Sequence, residues 1–238
     1  MMESTQYEAH EIIQKIIIRP NGPILVQGKI PLVRKIQVVS EFGEPLTWEK
    51  EGDLETEEPY YLCRCGRSAN MPFCDRAHRS HEPFDGTEKA DTRTIKERQI
   101  TLPGGKHIVV RKDNSLCMDS GFCGNQETNI DEMVEKTDDT QVRSHIMAMI
   151  ERCPAGVYTY SIEEGSPEIE PDLPRQIAFT TEITSDGPIV GPLWVTGNIP
   201  VERSDGQPFE TRNRVTLCNC GRSSIKPLCD GEHRHTKD

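Results

Sequence analysis

Two stretches of the chain alternate apolar and other residues between glycines, GPILVQGKIP at 22–31 and GPLWVTGNIP at 191–200. Ile24 and Val26 in the first, and Leu193 and Val195 in the second, fall on one side of an extended chain, so each stretch predicts a short half-buried strand. The segment between them is patterned differently. HIVVRKD at 107–113 and VYTYSI at 157–162 read as strands, while Val142, Ile146, Met149 and Ile150 recur at helical spacing. Two stretches break the pattern: EKADTRTIKERQ at 88–99 is charged, and SIEEGSPEIEPDLPRQ at 161–176 is rich in glutamate and proline. Both read as linkers. The expected architecture is α+β, with small β-rich modules at 1–97 and 166–238 flanking a small α+β domain at 98–165.

The outer stretches belong to a longer repeat. Each is followed by a C-x-C-x8-C-x3-H pattern, CRCGRSANMPFCDRAH at 63–78 and CNCGRSSIKPLCDGEH at 218–233. This is an internal duplication around an unrelated middle. The copies differ in length, because Pro31 to Cys63 is a gap of 63 − 31 = 32 positions and Pro200 to Cys218 one of 218 − 200 = 18. The acidic stretch TWEKEGDLETEEPYY at 47–61 is the expected loop insertion.

Composition limits what such modules can rely on. Of 238 residues, 34% are apolar and 5% aromatic, and the mean hydropathy is −0.62, so a small module needs staples beyond its core. A net charge of −11 and a pI near 5.2 argue against nucleic-acid or anionic-membrane partners, which require basic surface. No stretch reads as a membrane span or signal peptide: the first twenty residues open with Glu3 and are interrupted by Gln14 and Lys15. The expected compartment is the cytoplasm, where cysteine patterns read as metal or redox sites rather than disulfides.

The nine cysteines form three triplets: Cys63, Cys65, Cys74; Cys117, Cys123, Cys153; and Cys218, Cys220, Cys229. In an extended segment Cys218 and Cys220 leave the same face and can share one metal. Cys229 and His233 suit one face of a helical turn, with Asp230 placed to cap it. Two ligand pairs from two elements describe two adjacent metal centres, the demand of a 2Fe-2S cluster, in which nitrogen can replace thiolate on one iron. Cys63, Cys65, Cys74 and His78 repeat the four roles. Zinc is the competing reading, although its sites usually separate the first two cysteines by two to four residues.

These segments resemble the CDGSH iron-sulfur family, whose pattern is C-x-C-x2-S/T-x3-P-x-C-D-G-x-H. Ser223, Pro227, Asp230 and Gly231 fill it in the second copy, and Ser68, Pro72 and Asp75 in the first. The resemblance implies a 2Fe-2S cluster held by three cysteines and one histidine at each site, with the histidine on the more exposed iron. Arg76 stands where the family has glycine, at a strain of about 1 kcal/mol if the backbone there needs positive φ. Glu232 replaces a small hydroxyl residue and reads as solvent-facing. His81 and His235 fit the spacing poorly and read as exposed.

The middle motif is C-x5-C-x29-C-P, in CMDSGFC at 117–123 and CPAG at 153–156. A cysteine followed by proline also ends the bacterial ferredoxin run. The segment from about 98 to 162 resembles the divergent single-cluster ferredoxin domain that often accompanies CDGSH modules. Three thiolates imply a 3Fe-4S cluster, or a 4Fe-4S cluster with a fourth ligand for which Asp119 is the nearest candidate; the alternative is a ferredoxin-like scaffold with unliganded cysteines.

The expected function is electron transfer by iron-sulfur clusters with a redox protein partner, its alternatives being cluster transfer, iron or redox sensing, and a structural zinc protein. No Gly-rich phosphate loop or nucleophile elbow points to an enzyme. A single CDGSH module can pair as a homodimer, and the internal repeat can take that role within one monomeric chain or leave the two copies apart.

Overall fold

The computed structural model describes residues 13–80 and 82–235. The first copy of the repeat supplies β1 (Lys15–Ile18), β2 (Ile24–Gln27), β3 (Leu32–Val39), β4 (Pro45–Leu54) and β5 (Tyr60–Leu62). A short helix α1 (Ile95–Arg98) leads to the middle domain, with strands β6 (Ile100–Thr101) and β7 (Val109–Lys112), helices α2 (Ile130–Met133) and α3 (Thr140–Arg152), and strand β8 (Tyr158–Ser161). The second copy supplies β9 (Gln176–Thr184), β10 (Gly187–Thr196), β11 (Val201–Glu202) and β12 (Arg214–Leu217). The α+β class follows from this order, and no helix among the described residues is long and apolar enough to cross a membrane.

Each outer segment is β-rich, as expected, but neither completes its sheet alone. One sheet runs β11-β1-β2-β5 and another β12-β10-β9-β3-β4. The strand that follows each G-x-I-P leaves its own copy and pairs in parallel with the other: β11 with β1, Ile16 opposite Val201, and β3 with β9, Leu32 opposite Ile177. Parallel partners need long connections, and here the rest of the chain is the connection. One core results, in which Ile16, Ile24, Val26 and Leu62 of the first copy pack with Ile177, Leu193, Val195 and Leu217 of the second. The repeat thus forms an intramolecular pair.

Two expectations are corrected by this arrangement. The G-P strands are buried on both faces, because Trp194 turns away from the shared core into a second cluster with Val33 and Ala178, and Leu25 is buried as well. The acidic insertion is chiefly strand: β4 pairs with β3 along its length. Its polar residues mask the alternation, since β4 is an edge strand with most side chains in water. Trp48, its buried-side anchor, has its ring centroid 5.7 Å from Trp194 and from Phe122. The β3–β4 hairpin therefore backs the middle cysteine loop, and Gln37 adds a hydrogen bond from Nε2 to the Ser120 carbonyl at 3.1 Å.

The middle domain folds as the pattern predicts. β6-β7-β8 form an antiparallel sheet, on which Ile146, Met149 and Ile150 of α3 pack with Val110 and Tyr158. Asp139 caps α3 by accepting from the Gln141 amide at 2.7 Å. The linker at 88–99 contains α1, whose Thr94 and Glu97 form a capping box.

The two copies also touch behind their C-x-C turns. A Cβ on Gly66 would lie 2.3 Å from the Cys220 carbonyl oxygen, and one on Gly221 would lie 2.6 Å from that of Cys65. Both glycines have positive φ, 74° and 81°. Gly43 shares that conformation at φ 80°, but a Cβ there would have nothing within 4 Å. Gly66→Ala and Gly221→Ala should therefore lower the denaturation midpoint clearly more than Gly43→Ala, which carries only the backbone strain of about 1 kcal/mol; equal losses in chemical denaturation would count against the close contact.

Candidate metal centres

Each outer site is built where a strand ends against a loop. β5 runs into Cys63 and β12 into Cys218, and the loop carrying the third cysteine returns alongside. The Cys63 amide donates to the Pro72 carbonyl at 2.7 Å and the Cys74 amide to that of Tyr61 at 2.9 Å; Cys218 with Pro227 and Cys229 with Thr216 repeat this at 2.8 and 3.0 Å. The motif's polar residues brace the loop. Ser68 Oγ donates to the Phe73 carbonyl and Ser223 Oγ to that of Leu228, at 2.6 and 2.7 Å. Asp75 accepts from the Ala69 and Ala77 amides, and Asp230 from those of Ser224 and Glu232.

The residue between the first two cysteines has a role that spacing does not reveal. Arg64, buried, donates from Nε to the Gly22 carbonyl at 3.0 Å, and Asn219 donates from Nδ2 to the Gly191 carbonyl at 2.9 Å. Gly22 and Gly191 are the opening glycines of the two repeated stretches, so in each copy this side chain ties the cysteine turn to its own strand pair.

The candidate ligand atoms meet in pairs. Cys63 and Cys65 Sγ are 3.8 Å apart, and Cys74 Sγ is 3.7 Å from His78 Nδ1. In the second site the corresponding distances are 3.6 and 3.4 Å. Two thiolates bound to one tetrahedral ion at about 2.3 Å stand about 3.8 Å apart, and a thiolate and an imidazole slightly less. Each pair therefore fits one metal. The Cys–His pair is not on an α-turn, as the four-residue spacing suggested: a left-handed residue, Arg76 at φ 72° or Gly231 at φ 88°, precedes a 3-10 turn. Only glycine adopts that backbone without penalty, so Arg76 carries the expected strain.

Burial favours the protonated form of several of these thiols. It raises Cys65 to about 11 and also raises Cys74 and Cys229. Cys218 and Cys220 share a hydrogen bond, which raises the first and lowers the second to about 6. Metal must displace these protons, so loading is favoured as pH rises. His78 is lowered by burial and by Arg79, which keeps its ring neutral and ready to ligate.

The two sites differ in surroundings. His78 and Cys74 line an open cleft of about 800 Å³ with Arg19, Arg76 and Arg79. His233 faces the buried Glu182 of β9, with Nε2 3.2 Å from Oε2. Glu182 lies 51 positions before His233 (233 − 182), and no motif marks it. Glu232 is exposed, as read from the sequence. His235 is exposed and 3.8 Å from Asp119, and His81 lies outside the described residues.

Cys117, Cys123 and Cys153 line one cavity of about 200 Å³, together with Asp119, Lys112 and Tyr158. Asp119 stands at φ 58°, and the Cys117 thiol donates to its Oδ1 at 3.5 Å. Burial raises Cys117 to about 11 and raises Cys123 as well. Cys153 caps the end of α3, and that end is held from the second copy: Arg214 Nη1 donates to the Ile150 and Glu151 carbonyls at 2.9 and 2.8 Å.

The three sites are contiguous. The first and second meet at Gly66 and Gly221, and a Cβ on Gly231 would lie 3.1 Å from the Met118 carbonyl and 3.2 Å from Asp119 Oδ2. The second site is thus in contact with both others.

Family comparisons agree with this layout. The iron-binding zinc finger of CDGSH type matches residues 21–79 and 190–234, and the divergent 4Fe-4S mono-cluster matches residues 104–163. No curated protein and no solved structure matches the chain. Two segments that build paired Cys–Cys and Cys–His sites, and one that gathers three cysteines in a single cavity, make this chain an iron-sulfur-binding protein with two CDGSH-type segments around a divergent single-cluster 4Fe-4S segment.

Proposed function

We propose that the chain is an electron-transfer protein with a 2Fe-2S cluster at each outer site and a 3Fe-4S or 4Fe-4S cluster in the middle. The observation that carries this reading is contiguity: three thiol-rich sites meet main chain to main chain, an arrangement that serves one-electron exchange and that a structural metal does not need. The ligand pairs support binuclear groups over zinc.

Cys63, Cys65, Cys74 and His78 would hold the first cluster, Cys218, Cys220, Cys229 and His233 the second, and Cys117, Cys123, Cys153 and Asp119 the third. Such clusters supply reversible one-electron redox chemistry. A chain of net charge −11 attracts a basic redox partner, and steering of this kind weakens with salt. The interlocked repeat fits a chain that works as a monomer, its second copy taking the place of a partner subunit.

The open cleft beside His78 favours a second reading for the first site alone, release of its cluster to an acceptor. Incubation with an apo-ferredoxin separates the two, since release moves iron and sulfide while electron exchange leaves both in place.

Anaerobically purified protein should contain about seven or eight irons and about eight acid-labile sulfides per chain, and dithionite should bleach its visible absorption. Zinc without sulfide after anaerobic reconstitution would overturn the proposal. Asp119→Cys should replace a 3Fe-4S EPR signal, or a labile 4Fe-4S spectrum, with that of a stable 4Fe-4S centre; an unchanged spectrum removes Asp119 as a ligand.

Acid should release the outer clusters, because iron binds neutral imidazole and protons compete for the same nitrogen. Loss followed by visible absorption is expected to be faster at about pH 5.5 than at about pH 8. The lowered His78 displaces the first site's response toward lower pH. His233→Cys should remove most of the dependence at the second site, and equal wild-type rates at the two pH values would contradict histidine ligation.

A further inference from the structure

Glu182 is wholly buried in β9, an expensive place for a carboxylate unless charge and hydrogen bonds meet it. They meet it from one side. Oε2 is 3.2 Å from His233 Nε2 and is also contacted by Arg234 Nη1. The opposite ring nitrogen, Nδ1, is 3.4 Å from Cys229 Sγ. The imidazole is thus held between a carboxylate on one nitrogen and the ligand thiol on the other.

The strands around this carboxylate are shaped to admit it. Gly191 lies against it, and a Cβ there would stand 3.1 Å from Glu182 Cγ and 3.2 Å from Oε1. The pairing of β9 with β10 shifts register between Val190 and Leu193, beside that glycine. The described residues of the first copy hold no counterpart. Its β1–β2 connection closes within Arg19–Gly22, where the Gly22 amide donates to the Arg19 carbonyl at 3.2 Å, whereas β9 and β10 continue past the repeated stretch to Thr184 and Gly187. The extension carries Glu182 over the second site, and its absence leaves the cleft beside His78.

We propose that Glu182 is a positioning residue of the second metal site: its buried carboxylate, 3.2 Å from His233 Nε2, favours the proton on that nitrogen, the tautomer that presents Nδ1 to the metal, and fixes the ring's orientation. An acceptor behind a ligand histidine acts in this way at many metal sites, and its loss typically costs about 10- to 100-fold in metal affinity. The inference rests on the reading of His233 as a cluster ligand. It assigns the two outer sites different strengths of histidine support, although their motifs are nearly the same.

The test uses the full-length, cluster-loaded protein and compares wild type, Glu182→Ala and Glu182→Gln. Cluster loss to an excess chelator is followed by visible absorption, with the first site as internal reference, and the ligand-nitrogen coupling of the reduced protein is read by pulsed EPR. Glu182→Ala should speed loss from the second site by about ten-fold or more and alter one of the two histidine nitrogen couplings. Glu182→Gln keeps an acceptor oxygen and should restore both readouts most of the way to wild type. A histidine coupling present in wild type and unchanged in Glu182→Ala, with unchanged loss, overturns the positioning role alone. Equal defects in both variants that merely follow a lowered melting temperature also overturn it, because they mark a packing role. Absence of any histidine coupling in the loaded wild type overturns the ligand assignment, and the positioning role with it.

Discussion

Two parallel strand pairings, β1 with β11 and β3 with β9, decide most of what is distinctive in this protein. Each borrows a strand from one copy of the repeat to complete the sheet of the other. A short module with few apolar residues cannot cover both faces of its strands, and exchange lets the two copies share one core. The exchange also fixes the sites. With the sheets locked together, the two C-x-C turns meet back to back, close enough that only glycine fits at Gly66 and Gly221.

The middle domain is tied to this pair through contacts that also shape its cysteine loop. Trp48 and Gln37 from the first copy support residues 120–122, and Arg214 from the second holds the end of α3 at Cys153. Buried arginine at a helix C-terminus satisfies free carbonyls and complements the helix dipole. The acidic insertion is therefore a support that reaches the third site, which a solvated loop could not be.

Near-identical motifs sit in different environments. The first copy ends its leading hairpin in a tight turn, leaving Cys74 and His78 at an open, arginine-lined cleft. The second extends the same hairpin and lays a buried carboxylate against His233. Arg76 in place of glycine adds backbone strain to the first site only. Solvent access, nearby charge and second-layer hydrogen bonds are the means by which a protein tunes a cluster, and the duplication places its two candidate centres in unlike surroundings.

The pairing of the candidate ligands and the local elements could be read from the order of the amino acids. Cysteine and histidine spacing is a local property, because residues two to four apart must fall near one another whatever the rest of the chain does, and the spaced side chains do meet in pairs in both outer segments. The helix ending at Cys153 and the strands at β2, β7, β8 and β10 were legible for the same reason. Everything else came from packing between distant segments. The strand exchange joins residues more than 140 positions apart, such as Leu32 and Ile177. β4 hid its alternation behind the acidic residues of an edge strand, and Glu182, Arg64 and Arg214 act on partners that no spacing connects to them. Burial, the property that makes a carboxylate or guanidinium matter at a metal site, exists only once those segments have come together.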